Sequence, residues 1–171
     1  MVLFHPKIPW SLRPIYHTLN QCTLYNTKIN NNEGYDYNIF QKLFDHLGRE
    51  SYIEPDLYCE FSFNISFGNE SFLNHGITLI DYAPIIIGDQ VNIAPKVRIY
   101  TASPHSITDH RLVARPITIK DNVWIGGNVC ILGEVTIGQN TIIGAVSAVT
   151  HDIPANVIAV GNPAHILRKL N

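Results

Sequence analysis

Between Ile119 and Pro154 the chain repeats itself every six residues. Aliphatic side chains stand at Ile119, Ile125, Ile131, Ile137, Ile143 and Val149. A smaller set follows four residues behind each leader: Val123, Val129, Val135, Thr141, Ser147 and Ile153. Glycine comes directly after the leader at Gly126, Gly138 and Gly144. A helix repeats its apolar face about every 3.6 residues and a strand about every 2. Neither reproduces this run. A period of six marks a solenoid in which each hexad supplies one flat face and one corner. The leading side chain points inward and stacks on its equivalent in the next coil. One hexad cannot bury its apolar side alone, so the stack must be several coils deep. Alternating antiparallel strands are the competing arrangement, and the in-phase repetition argues against them.

The same rhythm is expected upstream, from Phe61. Phe61, Phe67, Leu73 and Leu79 lead, with Ile65, Ser71, Ile77 and Ala83 behind them. The phase then slips by two, beside Asp81-Tyr82-Ala83-Pro84, and Ile87, Ile93 and Ile99 take over. The rhythm breaks again from Thr101 to Pro116, a polar stretch holding Pro104, His105, Asp109, His110, Arg111 and Arg115. A polar, histidine-bearing excursion between two halves of an apolar solenoid is the place to look for function.

The first 50 residues read differently. Leu12, Ile15, Tyr16 and Leu19 recur at helical spacing, and so do Ile39, Leu43, Phe44 and Leu47, with Gly48 as a stop. Asn26 to Asn38 reads as a loop, with Asp36 or Asn38 as N-cap of the second helix. These segments suit a helical cap over an open solenoid end. The expected division is a cap over 1–50, a β-helix over 51–160 with an active-site loop at 101–116, and a tail over 161–171.

Composition narrows the partners. Only 15% of residues are charged against 46% hydrophobic, which suits a stacked β core that also buries surface in an oligomer. The net charge of −2, with no basic run, argues against nucleic acid. No apolar run reaches the ~18 residues of a membrane span, so no membrane insertion is expected. Met1 to Trp10 contains prolines and lacks a signal-peptide apolar segment, so a cytoplasmic location is expected. Cys22, Cys59 and Cys130 lack CxxC spacing and read as buried thiols, not as a disulfide frame or zinc site.

Several motifs together resemble the hexapeptide-repeat acetyltransferases. They are Pro116-Ile117-Thr118-Ile119, Asp121-Asn122-Val123-Trp124-Ile125-Gly126-Gly127, Val135-Thr136-Ile137-Gly138, Val149-Thr150-His151-Asp152-Ile153-Pro154 and Gly161-Asn162-Pro163-Ala164. The resemblance is strongest to the maltose and galactoside O-acetyltransferases and covers residues 50–171. Upstream it is weak, resting on Leu24-Tyr25-Asn26 and the second helix. It implies an all-β solenoid, a left-handed parallel β-helix with a small N-terminal helical cap. It implies homotrimers that bind acetyl-CoA in clefts between neighbouring solenoids, and acetyl transfer to a sugar or glycan hydroxyl.

That transfer needs a base to take the hydroxyl proton and groups to orient the acceptor. Imidazole suits the base, because its ordinary pKa of about 6.5 lies near working pH. The family places its base histidine after a Tyr-Thr-Ala-Thr segment, with proline next. Here the segment is Tyr100-Thr101-Ala102-Ser103-Pro104-His105, so Pro104 takes the histidine's column and His105 is one residue late. Two arrangements stay open. In one, a one-residue shift lets His105 reach the cleft as catalytic base. In the other, His105 is a solvated loop residue and the protein is a catalytically impaired trimer that binds CoA or a sugar. His110 and His75 are weaker candidates for the base.

By resemblance, Asn74 and Asp81 hold the acceptor or orient the histidine, and Glu60 stands at another acceptor-binding column. The acidic residue the family carries in its cap is replaced by Pro6. Gly127, Ala145 and Thr150 match columns along the acetyl-CoA path, and Trp124 stands beside the cleft. His151 replaces the usual lysine, His165 stands where a basic residue is found, and Arg168 matches a phosphate-meeting basic residue. A metal-bearing carbonic-anhydrase branch shares the solenoid, but His75, His105 and His110 lack its spacing, and no metal is expected.

Overall fold

A computed structural model describes residues 2–4, 13–31, 36–106, 108 and 111–170. The chain is a left-handed parallel β-helix of about six turns, with two helices at its N-terminal end. Each complete coil gives one strand to each of three sheets. The first coil is β2 (His46–Leu47), β3 (Tyr52–Ile53) and β4 (Tyr58–Cys59). The second is β5 (Ile65–Phe67), β6 (Phe72–Leu73) and β7 (Thr78–Ile80). The third is β8 (Ile85–Ile87), β9 (Asn92–Ile93) and β10 (Arg98–Tyr100). After the excursion come β13 (Ile117–Ile119), β14 (Trp124–Ile125) and β15 (Cys130–Leu132), then β16 (Thr136–Ile137), β17 (Ile142–Ile143) and β18 (Ala148–Val149). The first sheet is β2, β5, β8, β13 and β16; the third is β4, β7, β10, β15 and β18. The second runs β3, β6, β9, β14, β17 and β19 (Val157–Val160), and β20 (His165–Lys169) folds back antiparallel on its end.

The leaders face inward and stack in register: Leu73 on Ile93, Ile93 on Ile125, Ile125 on Ile143. All are buried, as is the second set, including Ser71, Thr141 and Ser147. These hydroxyls satisfy themselves within the wall: Ser71 Oγ donates to Gly88 O (2.8 Å) and accepts from Val91 N (3.0 Å).

A turn rule accompanies the hexad. The residue three places after a leader takes a left-handed conformation: Glu50, Asp56, Ser62, Glu70, Gln90, Lys96, Asn122, Asn128, Glu134, Asn140 and Val146 all have positive φ, and so does Gly76; Asn156 does the same after Ile153, which bridges to Ile137 and takes a leader's place in the last partial coil. Among the described residues the rule fails after Leu79, Ile99 and Val149, leaders of the third sheet, and after Ala159, where the chain turns back into its last strand.

The rhythm begins at Leu47, not at Phe61. Leu47, Ile53 and Cys59 lead the first coil, and the path from Cys59 to Phe67 carries two extra residues, as does that from Leu79 to Ile87. Phe61 therefore lies in the corner and only partly buries itself. Gly48 is a solenoid glycine rather than a helix stop: a Cβ there would lie 2.2 Å from the carbonyl carbon of Gly68.

In the cap, α1 (Arg13–Asn30) extends into the first five residues of the segment expected as loop, and α2 (Tyr37–Leu43) starts at its N-cap Asp36, whose Oδ1 accepts from Asn38 N. The buried face of α1 is Thr18, Cys22 and Tyr25, whereas Tyr16 is exposed and Leu12 lies outside the described residues. The helix docks by polar bonds. Tyr25 Oη donates to Ile53 O, Asn26 Nδ2 to Leu57 O (3.1 Å), and Leu57 N returns a bond to Asn26 Oδ1 (3.2 Å). Phe40 packs edge-on to Tyr25 at 4.4 Å and links through Phe44 to Phe67.

The excursion is a hairpin. β11 (Ala102–Pro104) pairs antiparallel with β12 (Leu112–Ala114), and β1 (Val2–Phe4) adds to the other side of β12. Among the described residues no helix is long and apolar enough to cross a membrane.

Candidate active site

The third-to-first edge, where the turn rule fails, carries the unusual polar groups. Asp81 follows β7 and is fully buried. Its Oδ1 accepts from Glu60 N and Phe61 N, both at 3.0 Å, and Asn64 Nδ2 donates to its carbonyl (2.6 Å). Its Oδ2 is buried with no hydrogen-bond partner. Burial disfavours the charged form and outweighs the backbone donors, so the carboxyl is pushed up to about 6.

Glu60 ends the coil below. Burial pushes its carboxyl up, and a hydrogen bond from Tyr82 partly opposes this. Glu60 Oε2 is also buried without a partner. The Tyr82 hydroxyl is in turn pushed up to about 12 by burial and then by Glu60. Its ring stands perpendicular to Phe61 at 5.0 Å. Thr101 closes the floor, donating from Oγ1 to Ile80 O (2.7 Å) and accepting from Ala83 N (3.0 Å).

Directly above rises the hairpin. Arg115 N donates to Thr101 O (2.8 Å), which closes its base, and Arg115 pairs with Glu134. His105 follows β11 at the tip side, exposed, with its backbone N donating to Arg111 O (2.8 Å). His110 and Pro6 lie outside the described residues. Two coils past the hairpin's exit, Thr150 Oγ1 meets His151 Nδ1 at 2.8 Å on this same edge.

The other expected residues lie elsewhere. Asn74 and His75 form the second-to-third corner of the second coil, where Asn74 Oδ1 accepts from His75 N (2.9 Å). Gly127 and Ala145 stand above them on that edge, and Val146 N donates to Gly127 O (2.9 Å). Trp124, 54% exposed, stands on the outer face of the second sheet. With Ile142, Leu170 and the asparagine ladder Asn122–Asn140–Asn156 it lines a hollow of about 460 Å³. Arg168 is exposed on β20, opposite Ile158, and His165 is exposed on the same strand. One copy of the chain therefore gathers Glu60, Asp81, His105, Thr150 and His151 along one edge. Asn74, Gly127 and Ala145 lie along another, with the third sheet between them.

Neighbouring glycines separate fold from function here. A Cβ on Gly126 would lie 2.5 Å from Ala145 N, so the solenoid excludes it. A Cβ on Gly127 would meet only Pro95 O at 3.5 Å, an ordinary contact, and its φ is not left-handed. Among the described residues nothing requires glycine at 127. Among the described residues no three His, Cys, Asp or Glu side chains cluster as metal ligands would. Tyr82 and Thr101 are site residues that the sequence reading did not single out; the phase slip at Asp81-Tyr82-Ala83-Pro84 marks the corner that holds the first.

Residues 116–151 match the family model described as bacterial transferase hexapeptide (six repeats). The galactoside O-acetyltransferase of Escherichia coli K12 is 39% identical over 137 residues, which span 78% of this chain and 68% of that protein. A maltose O-acetyltransferase from Clostridium difficile 630 superposes with a TM-score of 0.90 at 33% identity, covering 99% of this chain and 92% of that one. A hexapeptide-repeat acetyltransferase of Vibrio cholerae, crystallised with acetyl-coenzyme A, gives 0.81 at 39% identity, covering 93% and 90%.

Proposed function

Because this chain belongs to the hexapeptide-repeat acetyltransferases and uses acetyl-CoA to acetylate oxygen, we propose that its acceptor is a hydroxyl of a sugar or glycan and that His105 is the base. The observation that carries the acceptor is the pair of buried carboxyl oxygens, Asp81 Oδ2 and Glu60 Oε2, left without donors below the His105 hairpin. A buried acceptor without a donor costs about 1–3 kcal/mol. A polyhydroxylated ring supplies several donors at once.

The site joins two copies of a homotrimer. The edge bearing Glu60, Asp81 and His105 in one copy faces the edge bearing Asn74, Gly127 and Ala145 in the next, with acetyl-CoA in the cleft between. Gly127 supports this placement, since the missing side chain leaves room only for something outside its own chain. Thr150, His151 and Arg168 follow the cofactor toward its phosphates, and Trp124 flanks the cleft. The phosphate end is held mainly by Arg168, whose guanidinium stays charged throughout the physiological range.

In the reaction the His105 imidazole takes the acceptor hydroxyl proton as that oxygen attacks the thioester carbonyl. The tetrahedral adduct collapses, the carbon–sulfur bond breaks, and the departing CoA thiolate takes from the imidazolium the proton that came from the acceptor hydroxyl. Asn74, whose Oδ1 is occupied by His75 N, offers its NH₂ to the acceptor or the developing oxyanion. Asp81 and Glu60 fix the ring. The test is release of free CoA from acetyl-CoA across a panel of sugars, with His105→Ala abolishing it. Undiminished turnover in that variant removes His105 from the mechanism.

The exposed position of His105, one residue past Pro104, favours a second reading: a trimer that binds CoA or a sugar without turnover. A melting shift with CoA and no CoA release on any sugar would select it.

A further inference from the structure

Two of the three cysteines meet beneath the first helix. Cys22 lies on the buried face of α1 between Thr18 and Tyr25, and Cys59 ends β4. Both side chains are buried, and their Sγ atoms are 3.4 Å apart. Bonds on either side hold them in register. Thr18 Oγ1 donates to Phe61 O (3.0 Å) one turn before Cys22, and Asn26 exchanges two bonds with Leu57 one turn after it. One thiol donates to the other sulfur, which makes the two unequal. The hydrogen bond from Cys59 pulls the Cys22 thiol down, while that same bond and burial hold Cys59 well above the usual range. Thiolate is the reactive form, so Cys22 is the nucleophile of the pair. Cys130, by contrast, stands half-buried on the outer face of β15.

We propose that Cys22 and Cys59 form an oxidisable pair, which a peroxide converts to a disulfide stapling α1 to the first coil. The Cys22 thiolate attacks one oxygen of hydrogen peroxide. The O–O bond breaks, and the departing hydroxide takes a proton to become water, leaving Cys22 as a sulfenic acid. The Cys59 sulfur then attacks Cys22 Sγ. The S–O bond breaks, and a second water leaves with the Cys59 proton. The two sulfurs together give up two electrons, which the peroxide accepts. The sulfurs close from 3.4 Å to about 2.05 Å, so little movement of α1 is needed. The cross-link shortens the unfolded chain's reach between the cap and the solenoid, and the oxidised form melts higher. Cys59 directly precedes Glu60, and the Asp81 carboxylate acts on both sulfurs. The staple therefore sits under the acceptor end of the candidate site.

The test treats the full chain with hydrogen peroxide, alkylates it after denaturation and maps peptides without reduction. The expected result is a Cys22-to-Cys59 linked peptide two hydrogens lighter than its parts. Free thiols fall from three to one, and the melting temperature rises by several degrees and reverts with dithiothreitol. Cys130→Ser leaves this outcome intact, and Cys59→Ala leaves Cys22 as a sulfenic acid trappable by dimedone. Full alkylation of both thiols after peroxide overturns the proposal, and so do separate sulfinic acids. The mapping of the unsubstituted chain decides the matter even where a variant fails to fold.

Discussion

The first-to-second edge of the solenoid and the third-to-first edge are built from the same hexad but treat polar groups in opposite ways. On the former, every coil turns through a left-handed residue, from Glu50 and Glu70 through Gln90, Asn122 and Asn140 to Asn156. Each corner then answers the next. Arg49 N donates to Asn69 Oδ1, Asn69 N to Asp89 Oδ1, and Asp89 N to Asp121 Oδ1. On the latter edge only Ser62 and Glu134 keep that turn. The coils that depart from it carry Asp81 with an unanswered oxygen, the hairpin, and the Thr150–His151 pair. Along the first-to-second edge the corners answer one another's polar groups, and along the third-to-first edge acceptors are left open where the repeat is broken.

Substitution should separate the two edges. The largest effect is expected from His105→Ala on the broken edge, a loss of about 10²–10⁴ in kcat with an unchanged melting temperature. If the melting temperature falls instead, the hairpin histidine is structural and the contrast fails. Gly68→Ala on the regular edge should do the reverse. Its Cβ would lie 2.3 Å from Asp89 Oδ1 and 2.4 Å from the carbonyl carbon of Gly88. About 3 kcal/mol of stability should be lost, with turnover per folded molecule retained; denaturant titration beside an activity assay measures both.

Asp81→Asn probes the orphaned oxygen through pH. The folded carboxyl titrates at about 6 against an ordinary 3.8. The protonated form is the one the fold prefers, so this contribution is complete below pH 3.8 and disappears as pH rises through 6. The stability of the natural chain minus that of the variant should fall by about 3 kcal/mol across that window. A flat difference would mean that the buried oxygen finds a donor in the folded protein. The smallest effect is expected at Val146, a β-branched residue with φ of 62° on an exposed corner. Val146→Gly should stabilise by about 1 kcal/mol, read from the denaturation midpoint; a loss would show that the side chain is packed against a neighbouring copy.

The wall of the solenoid was legible in the sequence because stacking imposes a spacing that residues such as Ile125 and Ile143 must keep. Its beginning was not. The two extra residues after Cys59 shift the phase, and Leu47, Ile53 and Cys59 fall out of step with the coils stacked on them. The buried face of α1 was hidden for a different reason. It docks through Thr18, Tyr25 and Asn26, whose hydrogen bonds are invisible to a count of apolar spacing, and that count settled instead on Leu12, Ile15, Tyr16 and Leu19. At the candidate site, column matching picked out Asp81 and Glu60. It could not tell that Asn74 lies on a different edge, nor that Tyr82 would donate to Glu60, because both depend on how the coils close in space.

The seating of the hairpin bears on how such a protein changes over time. Ile99 pairs with Ile131, and Ile87 with Ile119, as though residues 101–116 were absent. The hairpin leaves the ladder and rejoins it without shifting either strand. Lineages of this chain can therefore lengthen, trim or exchange that segment while the wall beneath keeps its register. A designer can graft a foreign loop between Thr101 and Arg115, keeping the bonds those two residues make to each other and Thr101 makes to the coil below.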